Sequence, residues 1–311
     1  MNIYGAEAIL PASGGLCNLT EVVIHTEDTL ETLKEKVKIA TILGTLQSTL
    51  TNFRYLRKVW KNNAEEERLL GVSFTGIMDH LVMGGRLMAG NEPLLKGWLV
   101  ELKAVAYTTN LEWAKKLSIS PSKQLSLVKP SGTVSLLVNS SSGIHPRYSE
   151  YYIRRVTQDI KDPLTRLMVN QGLPYVTVGE KVIFDFPCAS PNGATLQRDM
   201  SALQQLGLWK LYYDHWCDGN PSQTIYYTDK DFLEVCAWVY KHWDKVGGLS
   251  FFPISDHIYE NAPMEEIDKE RYEELVGTFP VIDWSKLKDF EAEDETTGSQ
   301  TFACAGGGCD I

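Results

Sequence analysis

The stretch QLSLVKPSGTVSLLV at residues 124–138 places a short apolar strand before a turn of small residues and a second apolar run. Pro130 suits the first turn of a helix, where its missing N–H group costs no hydrogen bond. The small residues from Ser131 to Ser135 would leave N–H groups and hydroxyls at a positive helix end, which attracts anions. The pattern predicts a strand that runs into a helix start, and it is compatible with a phosphate-binding loop or with an ordinary helix cap.

Strand and helix patterns alternate on both sides of this stretch, which predicts an α/β fold. The predicted strands lie at 18–25, 124–128, 151–157, 181–186, 224–227 and 249–252. The first predicted helix begins after Asp28, which is predicted to be its N-cap, with Glu31 three residues later. Further helices are predicted at about 64–88, with an interruption at 71–73, and at 198–216 and 229–246. The apolar face of the last helix is predicted to carry Phe232, Cys236, Val239 and Trp243.

Composition limits the functional classes. The chain has 311 residues, 43% of them hydrophobic, and a net charge of −10, which disfavours nonspecific binding to nucleic acid. It has neither an apolar run of about 20 residues nor an opening signal peptide, so we predict a cytoplasmic protein that does not enter a membrane. The six histidines lack metal-ligand spacing, and no metal site is predicted. Three isolated cysteines are predicted to be buried and inert: Cys188, Cys217 and Cys236.

The end of the chain carries a pair of cysteines, Cys304 and Cys309, on either side of three glycines. Glycine lets the backbone fold back so that the two sulfurs can meet as a disulfide. The polar, acidic run 289–300 has little to bury, and a coil of roughly 18 residues spans about 25 Å. We therefore predict a folded region at 1–285 and a flexible redox tail at 286–311; the resemblance described below implies that the folded region is the catalytic part. Zinc binding by the pair is a weaker alternative, because no second pair lies nearby.

Several motifs taken together resemble one known family, the catalytic subunit of ribonucleotide reductase, in its adenosylcobalamin-dependent class II form. The matching segments are KPSGTVSLL at 129–137, GIHP at 143–146, YYIRR at 151–155, GLCNL at 15–19, HWCDGNPS at 215–222 and the terminal cysteine pair. They run in order along nearly the whole chain. The resemblance implies the carboxy-terminal part of a ten-stranded α/β barrel, followed by the flexible tail.

The resemblance also implies a reaction and its residues. In the family, a cysteine thiyl radical removes the 3′ hydrogen of a ribonucleotide, and a cysteine pair then reduces the 2′ carbon and is re-reduced by the tail. Cys17 resembles one member of that pair, and Cys304 and Cys309 resemble the tail dithiol. Glu7 resembles the acid–base glutamate. The substrate phosphates would be held by Pro130, Ser131, Gly132, Thr133, Val134 and Ser135.

One family motif fails at the start of the chain. Aligned on Glu7, the radical motif Asn-Pro-Cys-x-Glu would place its cysteine at Gly5 and its asparagine at Ile3. The family's first half, with the partner of Cys17, is also missing. We therefore expect the carboxy-terminal half of a divided reductase, inactive alone and dependent on a separate amino-terminal chain. The alternative is a non-catalytic nucleotide- or partner-binding fragment that has lost the radical cysteine.

The choice of class II depends on the segment LSFFP at 249–253. Class I enzymes bring the radical in through adjacent tyrosines near the last strand, whereas this segment has phenylalanines, which lack an oxidisable phenol. The resemblance accordingly implies adenosylcobalamin as cofactor, with no residue assigned to it. It also implies a ribonucleotide substrate, a thioredoxin-like reductant and a role in deoxyribonucleotide supply for DNA replication.

Overall fold

The computed structural model describes residues 15–85, 92–254 and 262–291. Its strands are β1 (Asn18–Val23), β2 (Leu70–Thr75), β3 (Tyr151–Asp159), β4 (Val176–Val178), β5 (Lys181–Ala189), β6 (Gln223–Tyr227), β7 (Leu249–Pro253) and β8 (Met264–Glu266). Its α-helices are α1 (Leu30–Gln47), α2 (Lys58–Glu67), α3 (Glu92–Leu117), α4 (Gly132–Leu137), α5 (Pro163–Asn170), α6 (Ala202–His215), α7 (Phe232–Lys241), α8 (Lys269–Thr278) and α9 (Leu287–Glu291). The chain separates into two units, Met1–Arg147 with Asn192–Ser255 and Tyr148–Pro191 with Asp256–Ile311.

Parallel strands define the first unit. β1 pairs in parallel with β2 from Asn18–Leu70 to Val23–Thr75. Single parallel bridges then join Val72 to Ser126 and Val128 to Pro221, and β6 pairs in parallel with β7. The parallel segments therefore lie side by side in chain order as β1, β2, 124–128, β6 and β7. Helices α1, α3 and α7 provide crossovers between neighbouring segments, as parallel pairing requires.

The core of this unit lies between the strands and the helices. Alternate strand residues enter it, among them Val22, Val72, Phe74 and Val128, and they pack with α1, α3 and α6. All six residues of β2 are buried, as expected for a parallel strand that is covered on both faces. Phe74 contacts the ring of Trp216 with a centroid separation of 4.4 Å.

The second unit is antiparallel. Its sheet has the strand order β4-β5-β3-β8, and the long β3–β5 ladder runs from Tyr151–Ala189 to Asp159–Lys181. Val182 and Phe184 are fully buried in a small core with Met168 and Leu173. Arg155 forms ion pairs with Asp185 and Glu265, the latter at 2.5 Å, which ties three strands together.

The α/β prediction is confirmed, whereas three of its details are wrong. The predicted helix from 64 to 88 is instead α2 followed by β2, because a strand buried on both faces shows no alternating pattern. Thr29, not Asp28, caps α1 and forms a capping box with Thr32. The Asp28 carboxylate instead accepts a hydrogen bond from the amide of His25 at 2.7 Å.

The apolar face predicted for the helix at 229–246 is wrong for Phe232, Cys236 and Trp243, which are exposed, and holds for Val239. The helix buries Val235, and Trp238 and Val239 pack beside it. Phe232 is 48% exposed and Trp243 73% exposed. Apolar residues occupy most positions of this helix, so periodicity could not select the buried face.

The ten-stranded barrel expected from the resemblance is not seen among the described strands, which form short sheets joined by single bridges. Within the same residues, no helix is long and apolar enough to cross a bilayer.

Candidate active site

The predicted site residues divide by location. Cys17 and the loop 130–135 lie in the described part of the first unit. Glu7, Cys304 and Cys309 lie outside the described residues. The site geometry is therefore that of Cys17, the loop and their surroundings.

Cys17 directly precedes β1 and lies against the glycine of β2. A Cβ atom added to Gly71 would lie 3.2 Å from the Cys17 Sγ and 2.9 Å from the Leu127 Cδ2. The missing side chain at Gly71 thus leaves room for the thiol and for Leu127 from the neighbouring segment. Three adjacent parallel segments meet at this point.

The Cys17 thiol is half-buried, and its burial raises its pKa to about 11. The positive charge of Lys129 acts in the opposite direction and lowers that pKa. The balance leaves the sulfur protonated at neutral pH, because a thiol loses its proton only near its pKa. Cys17 is therefore a hydrogen-bearing thiol and not a resident thiolate.

Strand alternation places polar groups on the face opposite the core. Val22, Val72 and Val128 point into the core, so their neighbours Glu21, Ser73 and Lys129 lie on the other face. The amide of Lys129 donates to the Ser73 Oγ at 3.0 Å, which fixes the end of the 124–128 segment on β2. Cys17, which directly precedes β1, lies on this same face, next to Leu127.

Both serine hydroxyls of the loop 130–135 are engaged in hydrogen bonds. The Ser131 Oγ accepts from the amide of Ser135 at 3.0 Å and donates to the Glu21 Oε2 at 2.7 Å. The Ser135 Oγ donates to the Ser131 carbonyl. Gly132, Thr133 and Val134 are exposed, and their amides belong to the first helical turn, which lacks intrahelical acceptors. The exposed part of the loop thus presents backbone donors.

The sequence analysis did not identify Glu21 as a site residue. Burial raises the pKa of its carboxyl group, and the hydrogen bond from Ser131 lowers it. The only available signal was an acidic residue inside the apolar strand pattern TEVVI at 20–24. Its partner lies 110 positions later in the chain.

A second loop, residues 139–147, supports the loop 130–135. Asp79 forms a buried, bidentate ion pair with Arg147, with both N–O distances at 2.8 Å, and accepts from the amide of Ser141. The Ser142 Oγ accepts from the amide of Ser131 at 2.9 Å. Buried pairs with this many hydrogen bonds lock loop geometry. The 139–147 loop is therefore a rigid support for residues 130–135.

His145 in the second loop is held as a neutral ring. Its Nε2 accepts from the amide of Thr224 at 2.9 Å, so its Nδ1 carries the proton and donates to the Ser142 carbonyl at 3.0 Å. Burial lowers the pKa of this ring. Its role is to connect the loop to β6.

The remaining cysteines differ in environment. The prediction that Cys217 is buried is confirmed, and burial raises its pKa well above the ordinary value. Cys188 is half-buried, and Cys236 is exposed, so the prediction of burial is wrong for Cys236. Cys236 lies on the exposed side of α7, the side that the sequence pattern predicted to be buried. Across the described ranges, no cluster of three His, Cys, Asp or Glu residues could hold a metal ion.

A comparison with solved structures identifies a protein with the same architecture. A crystal structure of a B-12 dependent (class II) ribonucleotide reductase matches with a TM-score of 0.72 over 90% of this chain and 42% of that chain. The two sequences are 19% identical, so this match establishes a shared fold. The chain thus has the fold of part of a class II ribonucleotide reductase.

Three curated relatives with named activities are similar to this chain. The chain is 27% identical over 291 residues to a probable adenosylcobalamin-dependent ribonucleoside-triphosphate reductase of Dictyostelium discoideum, covering 89% of this chain and 36% of that protein. The Euglena gracilis adenosylcobalamin-dependent ribonucleoside-triphosphate reductase is 29% identical and is covered to 35%, with 84% of this chain aligned. The Lactobacillus acidophilus enzyme is 26% identical and is covered to 44%, with 96% of this chain aligned. No family model matches the chain.

The resemblance predicted from the motifs is confirmed. Over most of its length the chain is similar to adenosylcobalamin-dependent ribonucleoside-triphosphate reductases, which are oxidoreductases. It spans between 35% and 44% of the length of these three relatives.

Proposed function

We propose that this chain is the carboxy-terminal portion of a ribonucleotide reductase and works with an amino-terminal half on a separate chain. The observation that supports this proposal most directly is the hydrogen bond between Glu21 and Ser131. It joins β1, which Cys17 directly precedes, to the loop proposed to hold the substrate phosphates. This bond supports the proposal because it links the two segments that would supply the reducing thiol and the anion-binding loop.

The parallel segments support a barrel role. β1, β2, 124–128, β6 and β7 follow one another in order, and this arrangement would supply half of a ten-stranded barrel. The amino-terminal half would complete the barrel, supply the radical cysteine and add the partner of Cys17. Residues 1–285 would form the catalytic part and 286–311 the redox tail.

The roles follow from the chemistry of each group. Cys17, protonated at neutral pH, would give hydrogen and electrons to the 2′ carbon and pair with a second cysteine as a disulfide. Cys304 and Cys309 would reduce that disulfide and be reduced in turn by a thioredoxin-like protein. Glu7 would take the 3′-hydroxyl proton. The exposed amides of 132–134 would bind the phosphates of a ribonucleotide.

Adenosylcobalamin, the cofactor in the names of the relatives, is proposed for the assembled reductase. When bound, it would supply the radical that starts the reaction. The described residues include none that we assign to it, so no residue role above passes through the cofactor. Phe251 and Phe252 on β7 lack phenols, consistent with a radical made beside the site.

The test is reconstitution. This chain, a chain carrying the amino-terminal half, adenosylcobalamin, a dithiol reductant and a ribonucleoside triphosphate are combined, and deoxynucleotide formation is measured. We expect turnover only with both chains, loss of multiple turnover in Cys17→Ser, and retention in the matched control Cys236→Ser, whose thiol is exposed on α7. Absence of turnover, with nucleotide still bound, would instead support the non-catalytic binding fragment.

A further inference from the structure

Helix α1 has a second apolar side, opposite the one that packs in the core. The buried side carries Leu33 and Val37 into the core. Because the helix turns once in 3.6 residues, positions 39, 43 and 46 lie on the opposite side. Four large apolar residues on that side and just beyond the helix are exposed, by 58%, 56%, 38% and 70% respectively: Ile39, Leu43, Leu46 and Leu50. These four residues are called the outer stripe.

The outer stripe has the spacing of a seam between two helices. Its members follow one another by four, three and four residues, which is the a/d repeat through which helices pair. Leu50 lies just beyond the C-cap Ser48, and its amide donates to the Gln47 carbonyl at 3.0 Å, so the turn continues the end of α1. Single exposed leucines need no explanation, whereas a row at this spacing indicates a contact surface.

The same spacing is symmetric about its centre. A two-fold axis midway between positions 44 and 45 sets Ile39 against Leu50 of a second copy, and Leu43 against Leu46. A dimer with two-fold symmetry requires a patch that is complementary to itself, and the outer stripe meets that requirement. The flanking charges decide whether the two helices run parallel or antiparallel.

The outer stripe itself is free of charge, and its two ends carry opposite charges. No charged residue lies between Lys38 and Arg54, although the chain has a net charge of −10. Glu35 is exposed before the stripe, and Arg54 is exposed after it. The two positions are equally far from the symmetry axis, so antiparallel pairing sets Glu35 against Arg54 of the second copy. Parallel pairing would instead set like charges together, which disfavours association.

The lysines beside Glu35 interact within their own chain. Lys36 pairs with Asp28 at 2.6 Å, and Lys34 pairs with Glu101 at 2.5 Å. Lys38 acts on Glu112 of α3. These contacts balance the three positive charges and leave the acidic flank of the stripe to Glu35.

We propose that the outer stripe is the contact surface of a homodimer, in which α1 pairs antiparallel with α1 of a second copy. The inference goes beyond the proposed reaction and does not depend on it. Four exposed side chains per copy form a small interface, so the dimer is a weak one that forms at micromolar concentrations. An amino-terminal half could also cover the stripe, but the symmetric spacing and the opposite end charges favour a second copy.

The first test measures self-association of the full chain by sedimentation equilibrium at increasing concentration. Leu43→Glu places a charge at the centre of the seam and should raise the dimer dissociation constant roughly 10-fold or more. Because Leu43 is 56% exposed, the variant should keep the wild-type midpoint in urea. Leu233→Glu, 77% exposed on α7, is the matched control and should change neither quantity. Phe252→Lys, on β7, should likewise leave the dimer intact.

The second test addresses the direction of pairing. Glu35→Arg sets two arginines against each other at both ends of the antiparallel seam, so the dissociation constant should rise about 3- to 10-fold. Glu35→Arg combined with Arg54→Glu restores opposite charges and should return the constant to that of the wild type.

Three results would overturn the proposal: a monomer at every concentration, a dimer that Leu43→Glu does not weaken, or a double variant no tighter than Glu35→Arg. If the chain is monomeric and Leu43→Glu abolishes its binding to an amino-terminal half, that half covers the stripe and the homodimer is refuted. None of these measurements involves turnover, so a failed reconstitution of activity leaves the result unaffected.

Discussion

The two faces of the parallel strands in the first unit contrast sharply, although they alternate residue by residue. On one face, Val72 and Phe74 are fully buried in the apolar core. On the other, Ser73 holds the backbone of Lys129, and Cys17 begins the polar series. A step of one residue along β2 therefore separates apolar core packing from polar contacts. This contrast teaches that substitutions at neighbouring positions should act on different properties.

The largest effect is expected on the core face. Phe74→Ala removes a fully buried ring that contacts Trp216 and leaves a cavity, so the free energy of unfolding should fall by about 3–5 kcal/mol. Urea denaturation followed by tryptophan fluorescence measures the loss. A loss below about 1 kcal/mol would mean that the core is not packed as described.

A smaller effect is expected one residue away. Ser73→Ala leaves the buried amide of Lys129 without its acceptor, which should cost about 1–3 kcal/mol in the free energy of unfolding. Ser250→Ala, at an exposed position on β7, is the control. Equal stability of both serine variants would contradict the contact.

The smallest effect is a change in pH dependence at Glu21. Its pKa in the folded chain is raised above the ordinary 4.5, so folding favours the protonated carboxyl. This contribution is present below pH 4.5 and is lost as the pH rises through the folded pKa. Glu21→Gln should therefore gain stability relative to the wild type between pH 4 and pH 7. Parallel stability profiles from urea melts across that range would refute this assignment.

Local patterns predicted much of the fold. Five strands agree with the predicted ones, because turn residues or helices flank each β-prone run: β1, β3, β5, β6 and β7. β2 was missed because both of its faces are covered, so its sequence LGVSFT carries no alternation. α3 was missed as well, although Leu95, Leu99, Leu102 and Ala106 follow helical spacing and are buried.

The site was predictable only in part. Cys17 and the loop 130–135 could be predicted because their motifs are contiguous in the sequence. The Glu21–Ser131 hydrogen bond joins residues 110 positions apart, and the Lys129 amide meets the Ser73 Oγ only after the strands are paired. Such groupings depend on strand register, which a sequence pattern does not supply. The predicted roles of Cys17, the loop 130–135, Glu7, Cys304 and Cys309 all stay predictions.

The outer edge of β7 has a practical consequence. In the described residues β7 pairs only with β6, and Phe251 and Phe252 are exposed on it at 39% and 55%. The backbone of an unpaired, apolar edge strand can form hydrogen bonds with a strand of another chain. We expect concentrated preparations of this polypeptide to form oligomers through the β7 edge. Phe252→Lys should keep such samples monodisperse in light scattering.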